Sequence, residues 1–129
     1  MVDRSKLKFA KTHEWARLEN GAVIVGITDF AQQEIRDIVY VELPKTGREV
    51  KQGEPLGVIE SVKAAFEIYA PVSGRVVAVN DHISQDVTKI HKDPFGEGWL
   101  FKIEASSPAQ LETLMNEADY QKITAESHR

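Results

Sequence analysis

Lys63 is the residue of this chain whose side chain best suits covalent chemistry. It is the one charge between Ser61 and Phe66, in a stretch that reads E-S-V-K-A-A over residues 60–65. A lysine amine forms an amide with a carboxylic acid once an enzyme has activated that acid, and its four-carbon stem then lengthens the attached arm. Most lysines at the tips of turns are ordinary solvated residues. Whether Lys63 has a function therefore depends on its position in the fold.

Two glutamates, Glu14 and Glu67, could pair with a cationic group carried near Lys63. Glu14 lies between His13 and Trp15 in a predicted strand, and Glu67 follows Lys63 by four residues. In an alternating strand such positions commonly face solvent. Both interpretations stay open from the sequence.

Other kinds of site find little support in the sequence. The absence of cysteine excludes disulfides, thiolate metal sites and a cysteine nucleophile. The four histidines have no metal-binding spacing, and no nucleophile elbow, P-loop or dinucleotide fingerprint occurs. We therefore expect no metal and no self-sufficient active site. Trp15 and Trp99 are expected to be core anchors.

The bulk properties point to one domain over residues 1–129, with frayed ends at 1–7 and 126–129. The net charge of −4 does not suit a nucleic-acid binder. No apolar window is long enough for a membrane helix, and the N-terminus lacks the apolar segment of a secretory signal. We expect a cytoplasmic monomer of the bacterial type, with a mature organellar protein as the alternative.

Strand patterns predominate among the elements that must position these residues. Asn20-Gly21 between two apolar runs predicts a hairpin of 13–18 with 22–27. Thr28-Asp29 predicts the start of a short helix to Arg36. Further strands are predicted at 37–43, 55–62, 65–70, 74–80 and 98–104.

The C-terminal segment changes to a helical pattern. Ser107 is predicted as an N-cap, with Pro108 in the first helical position and Gln110 completing a capping box. A second short helix is predicted through Tyr120 and Ile123.

An internal repeat places Lys63 in this framework. Residues 44–50 read P-x-x-G-R-x-V, and residues 71–77 repeat that pattern 27 positions later. Gly53 and Asn80 hold equivalent places after the two copies, and both tolerate positive φ. The centre of the repeated region is residue 62, so Lys63 is predicted at an exposed two-residue hairpin tip, 63–64. Chance similarity of two Pro/Gly turns is the alternative.

With these residues in view, the sequence resembles the H protein family of the glycine cleavage system. The resemblance rests on motifs in the same order over nearly the whole chain, and these are T-H-E-W at 12–15, V-G-I-T-D-F-A-Q at 25–32, V-Y-V-E-L-P at 39–44, E-S-V-K-A at 60–64, I-Y-A-P-V-S-G at 68–74 and D-P-F-G-E-G-W at 93–99. Relatives usually carry Leu-Gly where this chain has Ile35-Arg36, and often a small or polar residue in place of Phe66.

The resemblance implies a mostly-β (α+β) fold, a flattened lipoyl-domain-like β-barrel of two duplicated halves with added helices. It implies that Lys63 carries lipoate in amide linkage, within the attachment motif of Glu60, Ser61, Val62 and Ala64. It also implies a surface cleft for the arm, with acids at Glu14 and Glu67.

The family's function would make the chain a non-catalytic shuttle. Lipoyl-Lys63 would accept an aminomethyl group at glycine decarboxylase (the pyridoxal-phosphate P protein) and deliver it to the aminomethyltransferase (T protein) for methylene transfer to tetrahydrofolate. Dihydrolipoyl dehydrogenase (L protein) would reoxidise the arm, and a lipoate-attaching enzyme would install it. The alternatives are a paralogue that serves lipoate relay or assembly, and an unmodified interaction module.

Overall fold

The structure, a computed structural model, describes residues 6–127 and the side chains of residues 6–125. Its strands and helices are, in chain order, β1 (Lys8–Phe9), β2 (Glu14–Glu19), β3 (Ala22–Ile27), α1 (Asp29–Ile35), β4 (Ile38–Glu42), β5 (Glu49–Val50), β6 (Pro55–Ser61), β7 (Ala65–Tyr69), β8 (Gly74–Val79), α2 (Asp81–Gln85), α3 (Thr88–Lys92), β9 (Phe101–Ala105), a 3₁₀ helix (Pro108–Thr113) and α4 (Glu117–Ser127).

The strands form two antiparallel sheets. A six-stranded sheet has the order β1-β2-β3-β9-β8-β5, and a three-stranded sheet has the order β4-β6-β7. Buried side chains from both sheets, such as Val25, Phe101, Ile59 and Ile68, belong to one hydrophobic core. The predicted mostly-β fold is therefore confirmed as a sandwich, and the strands within residues 6–127 do not close into a barrel.

A second hydrophobic cluster covers the other face of the six-stranded sheet. Trp15 and Ile24 point to this face, where Phe9, Phe95 and Tyr120 pack against them. The predicted role of Trp15 as a core anchor is confirmed, and Trp99 packs partly buried at the edge of the same cluster. Near the start of β2 the sheet is thus covered on both sides, which decides the environment of the residues there.

The first hairpin and the first helix form as predicted. Asn20 and Gly21, with φ of 52° and 83°, connect β2 to β3, the backbone that a two-residue I′-type turn requires. Thr28 is the N-cap of α1, because its Oγ1 accepts a 3.1 Å hydrogen bond from the N–H of Ala31. Helix α1 thereby begins directly after β3 and crosses beside the sandwich.

The two copies of the sequence repeat pair with each other. In β5 and β8, Glu49 lies opposite Arg75 and Val50 opposite Gly74. Beyond the strand, the N–H of Gly47 donates to the carbonyl of Val76 at 2.7 Å. The pairing of β5 with β8 is centred on residue 62, and the hairpin of β6 and β7 is centred beside it, between residues 62 and 63, so the repeat accounts for the hairpin that carries Lys63.

Three expectations around the second copy and the C-terminal segment are wrong. Asn80 has φ of −88° and caps α2, its Oδ1 accepting from the N–H of His82, so it is not a positive-φ turn residue. Ser107 makes no capping hydrogen bond. The side chain of Gln110 accepts instead from the N–H of Ser73 at 2.6 Å, and the segment becomes a 3₁₀ helix.

The chain ends and the last strand complete the comparison with the sequence. Strand β9 begins at Phe101, later than the predicted residue 98, because residues 94–98 form a turn. The predicted helix through Tyr120 and Ile123 is confirmed as α4. Of the ends expected to fray, residues 1–5 and 128–129 lie outside the described part, whereas Leu7 is buried.

Among the described residues, no helix has both the length and the apolar composition needed to cross a membrane.

Candidate functional site

Lys63 lies at the tip of the hairpin formed by β6 and β7, and it is exposed. The connection has three residues, 62–64, instead of the predicted two. The N–H of Val62, the first residue of this connection, donates to the carbonyl of Asp37 at 3.3 Å, just before β4. The tip is therefore attached to the neighbouring strand while Lys63 itself projects into solvent.

Ser61 holds this tip in shape. Its Oγ accepts hydrogen bonds from the N–H groups of Lys63 at 3.3 Å and Ala64 at 3.2 Å, and its own N–H donates to the Ala64 carbonyl at 2.8 Å. The other residues of the predicted attachment motif, Glu60 and Val62, are exposed beside the lysine. A serine at this position replaces the glycine or proline that a tight turn would otherwise need.

A cleft of about 760 Å³ opens beside the hairpin, between β7, the start of β2 and helix α1. Part of its wall is apolar, formed by Ile27, Ile59 and Phe66. This apolar surface is extended by Phe30, Ala31, Ile35, Ala65 and Ile68. The polar or charged residues of the wall are Lys11, Thr12, His13, Glu14, Glu34, Glu67 and Tyr69. Such a cleft can hold a hydrocarbon chain along its apolar side and a charged end group at its polar side.

Glu14 is buried in this cleft, with 2% of its surface exposed. The solvent-facing alternative is therefore wrong for this residue, because β7 covers the face of β2 on which Glu14 lies. Burial raises the pKa of the Glu14 carboxyl above its ordinary value, and hydrogen bonds from the Thr12 hydroxyl and the Tyr69 N–H oppose the rise. The Tyr69 N–H lies 2.9 Å from Oε2. Glu14 is thus a fixed carboxylate with two donors.

Glu67 is exposed on β7, at the edge of the same cleft. The Tyr69 hydroxyl donates to its Oε2 at 3.0 Å. This hydrogen bond raises the pKa of the Tyr69 hydroxyl. Tyr69 therefore contacts both carboxylates, Glu14 through its backbone and Glu67 through its side chain, and the structure brings the two predicted acids to one cleft.

His13 forms the start of a buried hydrogen-bonded chain at the cleft. Its Nδ1 lies 2.8 Å from the Tyr120 hydroxyl, which in turn lies 2.6 Å from Oγ1 of Thr28. Burial lowers the pKa of His13, and the nearby Glu34 carboxylate opposes this in part. Burial also raises the pKa of Tyr120 to about 12. The chain connects helix α4 to the cleft wall.

The residues that depart from the family pattern lie at or near the cleft. Phe66 is 40% exposed and lines it, as does Ile35. Arg36 ends helix α1 with φ of 51° and ψ of 159°, a backbone conformation that is essentially reserved for glycine. Where relatives usually have glycine, Arg36 must therefore adopt a backbone conformation that glycine adopts more easily.

The sequence did not single out Thr12, Tyr69 or Tyr120 as residues of the site. Tyr69 matters through its N–H, which is available because β7 is the edge of its sheet, and strand order cannot be seen in the sequence. Tyr120 is 107 residues from its partner His13. His13 was considered only as a metal ligand. The two-residue spacing of Thr12 and Glu14 is the one sequence signal that could have indicated a contact between them.

A family model described as "Glycine cleavage H-protein" matches residues 7–127. A glycine cleavage system H protein from Anaeromyxobacter sp. (strain K) is 51% identical over 120 residues, which cover 93% of this chain and 94% of that protein. The protein of the same description from Thermotoga maritima is 51% identical over 119 residues, covering 92% and 96%.

A solved structure is similar as well. The crystal structure of a glycine cleavage system H protein from Mycobacterium marinum superposes with a TM-score of 0.87 at 31% identity, covering 94% of this chain and 98% of that chain. The similarity extends through both sheets and the helices around the cleft, since so little of either chain is left out.

Proposed function

The chain belongs to the glycine cleavage H-protein family, and on that basis we propose that it is the non-catalytic carrier subunit of a glycine cleavage system, with lipoate in amide linkage on Lys63. The observation that carries this proposal is an exposed lysine on a fixed hairpin tip, beside a cleft that contains a buried carboxylate.

The residues present fit a lipoyl arm. Lys63 is accessible to an attaching enzyme, and the apolar wall formed by Ile27, Ile59 and Phe66 suits the hydrocarbon part of the arm. Lipoate on Lys63 would supply a disulfide to accept the aminomethyl group at the P protein. Transfer of the one-carbon unit to tetrahydrofolate at the T protein would release ammonia and leave a dithiol for the L protein to reoxidise. The chemistry belongs to these partners and the cofactor.

The two carboxylates have a distinct role in this proposal. An ammonium group at the end of a loaded arm is stabilised in its protonated form by a carboxylate nearby, and the cleft limits the access of water. Glu14 supplies a buried carboxylate held by Thr12 and Tyr69, and Glu67 supplies an exposed one at the rim. Together they retain the cargo while the carrier moves between enzymes.

The proposal also covers the setting of the protein. The relatives named above are bacterial proteins, and we propose a cytoplasmic carrier that acts as a monomer and meets the P, T and L proteins in turn. A lipoate-attaching enzyme is the fourth partner.

Modification of Lys63 is tested by the intact mass and peptide map of the protein purified from its native host. We expect a lipoyl group on Lys63, its loss in Lys63→Arg, and no change in Lys45→Arg, an exposed lysine outside the cleft. An unmodified Lys63 in lipoate-replete cells would refute the carrier function. A lipoylated protein that P protein cannot load from glycine would instead indicate a relay role.

The role of the carboxylates is tested by the lifetime of the aminomethyl-loaded protein kept free of partners. We expect Glu14→Gln to shorten this lifetime most and Glu67→Gln to shorten it less, because Glu67 is exposed. Glu42→Gln is the matched control, since Glu42 is exposed and lies outside the cleft. Unchanged lifetimes in both cleft variants would show that the carboxylates do not protect the cargo.

A further inference from the structure

The buried chain of His13, Tyr120 and Thr28 permits its protons to be assigned. Thr28 is fully buried, and its Oγ1 accepts a hydrogen bond from the N–H of Ala31 at 3.1 Å. Within residues 6–127 the only other partner of this hydroxyl is the oxygen of Tyr120, at 2.6 Å. A buried hydroxyl hydrogen must find an acceptor, so Thr28 donates to Tyr120.

The direction of that bond determines the next one. Tyr120 has a single hydroxyl hydrogen, and it accepts from Thr28. Its hydrogen is therefore directed to Nδ1 of His13, 2.8 Å away. Nδ1 must accept and carry no proton, and the neutral imidazole holds its proton on Nε2. If His13 donated from Nδ1 instead, either the Thr28 hydrogen or the Tyr120 hydrogen would be left without an acceptor among the described residues.

His13 is held in place by more than this chain. It has φ of 77°, which is uncommon for a residue with a side chain. Its ring packs on Phe30 of α1 with the centroids 5.0 Å apart, and its carbonyl accepts from the N–H of Thr28 at 3.1 Å. The charged groups near it are Glu34 on α1 and Glu14, the next residue in the chain. Backbone strain of this kind is concentrated at functional sites.

We propose that Thr28 and Tyr120 are positioning residues that fix His13 as the Nε2-protonated tautomer, so that its ring offers the arm cleft an N–H donor and no free lone pair. The benefit of this arrangement rests on the function proposed above: a loaded arm bears an ammonium group, and an imidazole with no available lone pair cannot remove its proton. The lowered pKa of His13, due to burial, agrees with a ring that stays neutral. Helix α4, through Tyr120, thus controls the chemistry of the cleft wall.

The tautomer is measured directly by ¹⁵N NMR of the histidine rings in the unmodified protein, at a pH where the rings are neutral. We expect His13 to show the Nε2–H form in about tenfold or greater excess, the ratio that an unmade buried hydrogen bond implies. Tyr120→Phe and Thr28→Val should each convert His13 to a mixture of tautomers. Thr28→Ser keeps both the cap and the hydroxyl and should retain the single tautomer. His82, which does not belong to this hydrogen-bonded series, is the reference in the same spectra.

Tyr120→Phe preserves the stacking of this ring on Phe9, at 4.7 Å between centroids, so the variant is expected to fold even if Thr28→Val does not. A wild-type His13 with the proton on Nδ1, or a folded Tyr120→Phe with an unchanged tautomer ratio, would overturn the proposal. Because the protein in this measurement carries no lipoate, the result does not depend on whether Lys63 is modified.

The consequence for the cargo has its own measurement. We expect aminomethyl-loaded Tyr120→Phe to lose its cargo faster than the wild type. In a protein that already carries His13→Asn, adding Tyr120→Phe should cause no further acceleration. An effect of Tyr120→Phe that persists in the absence of His13 would show that Tyr120 acts by another route.

Discussion

The backbone N–H of Tyr69 donates a 2.9 Å hydrogen bond to Oε2 of Glu14. Glu14 belongs to the six-stranded sheet and Tyr69 to the three-stranded sheet, so this bond joins the two sheets of the sandwich at the cleft. The buried carboxylate of the cleft is therefore also a structural connection, and changes at Glu14 will affect both stability and the cleft.

Replacement of Glu14 separates these two effects. Glu14→Ala leaves the Tyr69 N–H without its acceptor and creates a cavity, and we expect a loss of about 2–4 kcal/mol in the free energy of unfolding. Glu14→Gln keeps one acceptor oxygen, so its loss should be smaller. Urea denaturation measures both. Equal losses for the two variants would mean that the hydrogen bond to Tyr69 contributes little.

The buried carboxyl of Glu14 also gives the stability a particular pH dependence. Burial raises the pKa of Glu14 above 4.5 in the folded protein. Between 4.5 and this raised pKa the folded state binds more protons than the unfolded state, so the contribution of Glu14 falls as the pH rises through that window. We expect the wild type to lose stability relative to Glu14→Gln as the pH rises from 4.5. A difference independent of pH would contradict the raised pKa.

His13 should act on the pH dependence in the opposite direction. Burial lowers its pKa below 6.5, so between the lowered pKa and 6.5 the unfolded state binds more protons and stability rises with pH. The free energy of unfolding of His13→Asn should not show this rise with pH. Relative to His13→Asn, the wild type should be least stable at low pH, and the difference between the two should become constant above pH 6.5. NMR titration of His13 gives an independent value of its pKa.

Arg36 is a site where one substitution should stabilise the fold. With φ of 51° and ψ of 159°, it occupies a region that is strained for any residue with a Cβ. We expect Arg36→Gly to raise the free energy of unfolding by about 1 kcal/mol, less strain outweighing the greater freedom of the unfolded chain. Arg36→Ala is the control, because it also removes the 3.0 Å bond from Nε to the Gln33 carbonyl but keeps the Cβ. Stabilisation by alanine would assign the effect to the side chain instead of the backbone.

The two repeated glycines should respond differently to the same change. Gly47 has φ of 92° and open space around it, so Gly47→Ala should cost about 1–2 kcal/mol for the left-handed backbone alone. A Cβ at Gly74 would collide with the carbonyl oxygen of Glu104 and lie 2.8 Å from Cγ2 of Ile103. We expect Gly74→Ala to cost about 3 kcal/mol or more, since β8 must then separate from β9. Thermal unfolding compares the two variants. Similar losses of stability would mean that the collision expected at Gly74 adds nothing to the cost of the backbone conformation.

The sequence was sufficient for the features that depend on local chemistry. Asn20-Gly21 determined the first hairpin, Thr28 capped the first helix, and the repeat located Lys63 at a hairpin tip. Polar alternation failed at Glu14 because both faces of β2 are covered at its start: β7 covers the face of Glu14, and the second cluster covers the face of Trp15. Tyr69 and Tyr120, which contribute to this coverage, are distant in sequence.

Side chains with more than one possible partner were the other source of error. Asn80 can adopt positive φ or cap a helix, and the carbonyls of Glu97 and Trp99, which accept from its amide, are present only in the folded chain. Gln110 could have completed a capping box, but the N–H of Ser73 competes for its side chain. Neither choice can be made without knowing which segments meet.

The central place of β9 has a consequence for synthesis on the ribosome. Among the strands of residues 6–127, β9 lies between β3 and β8 and joins them in the six-stranded sheet, and it begins at Phe101 near the end of the chain. The lysine hairpin, whose pairing is local, can close as soon as residue 69 has emerged. The two halves of the larger sheet must wait for about thirty more residues, the separation that the element bounds give. In the nascent chain, Lys63 is therefore exposed on its hairpin before the sheet that supports the cleft has formed. Under the function proposed above, an attaching enzyme that recognises only the hairpin could modify Lys63 before folding is complete.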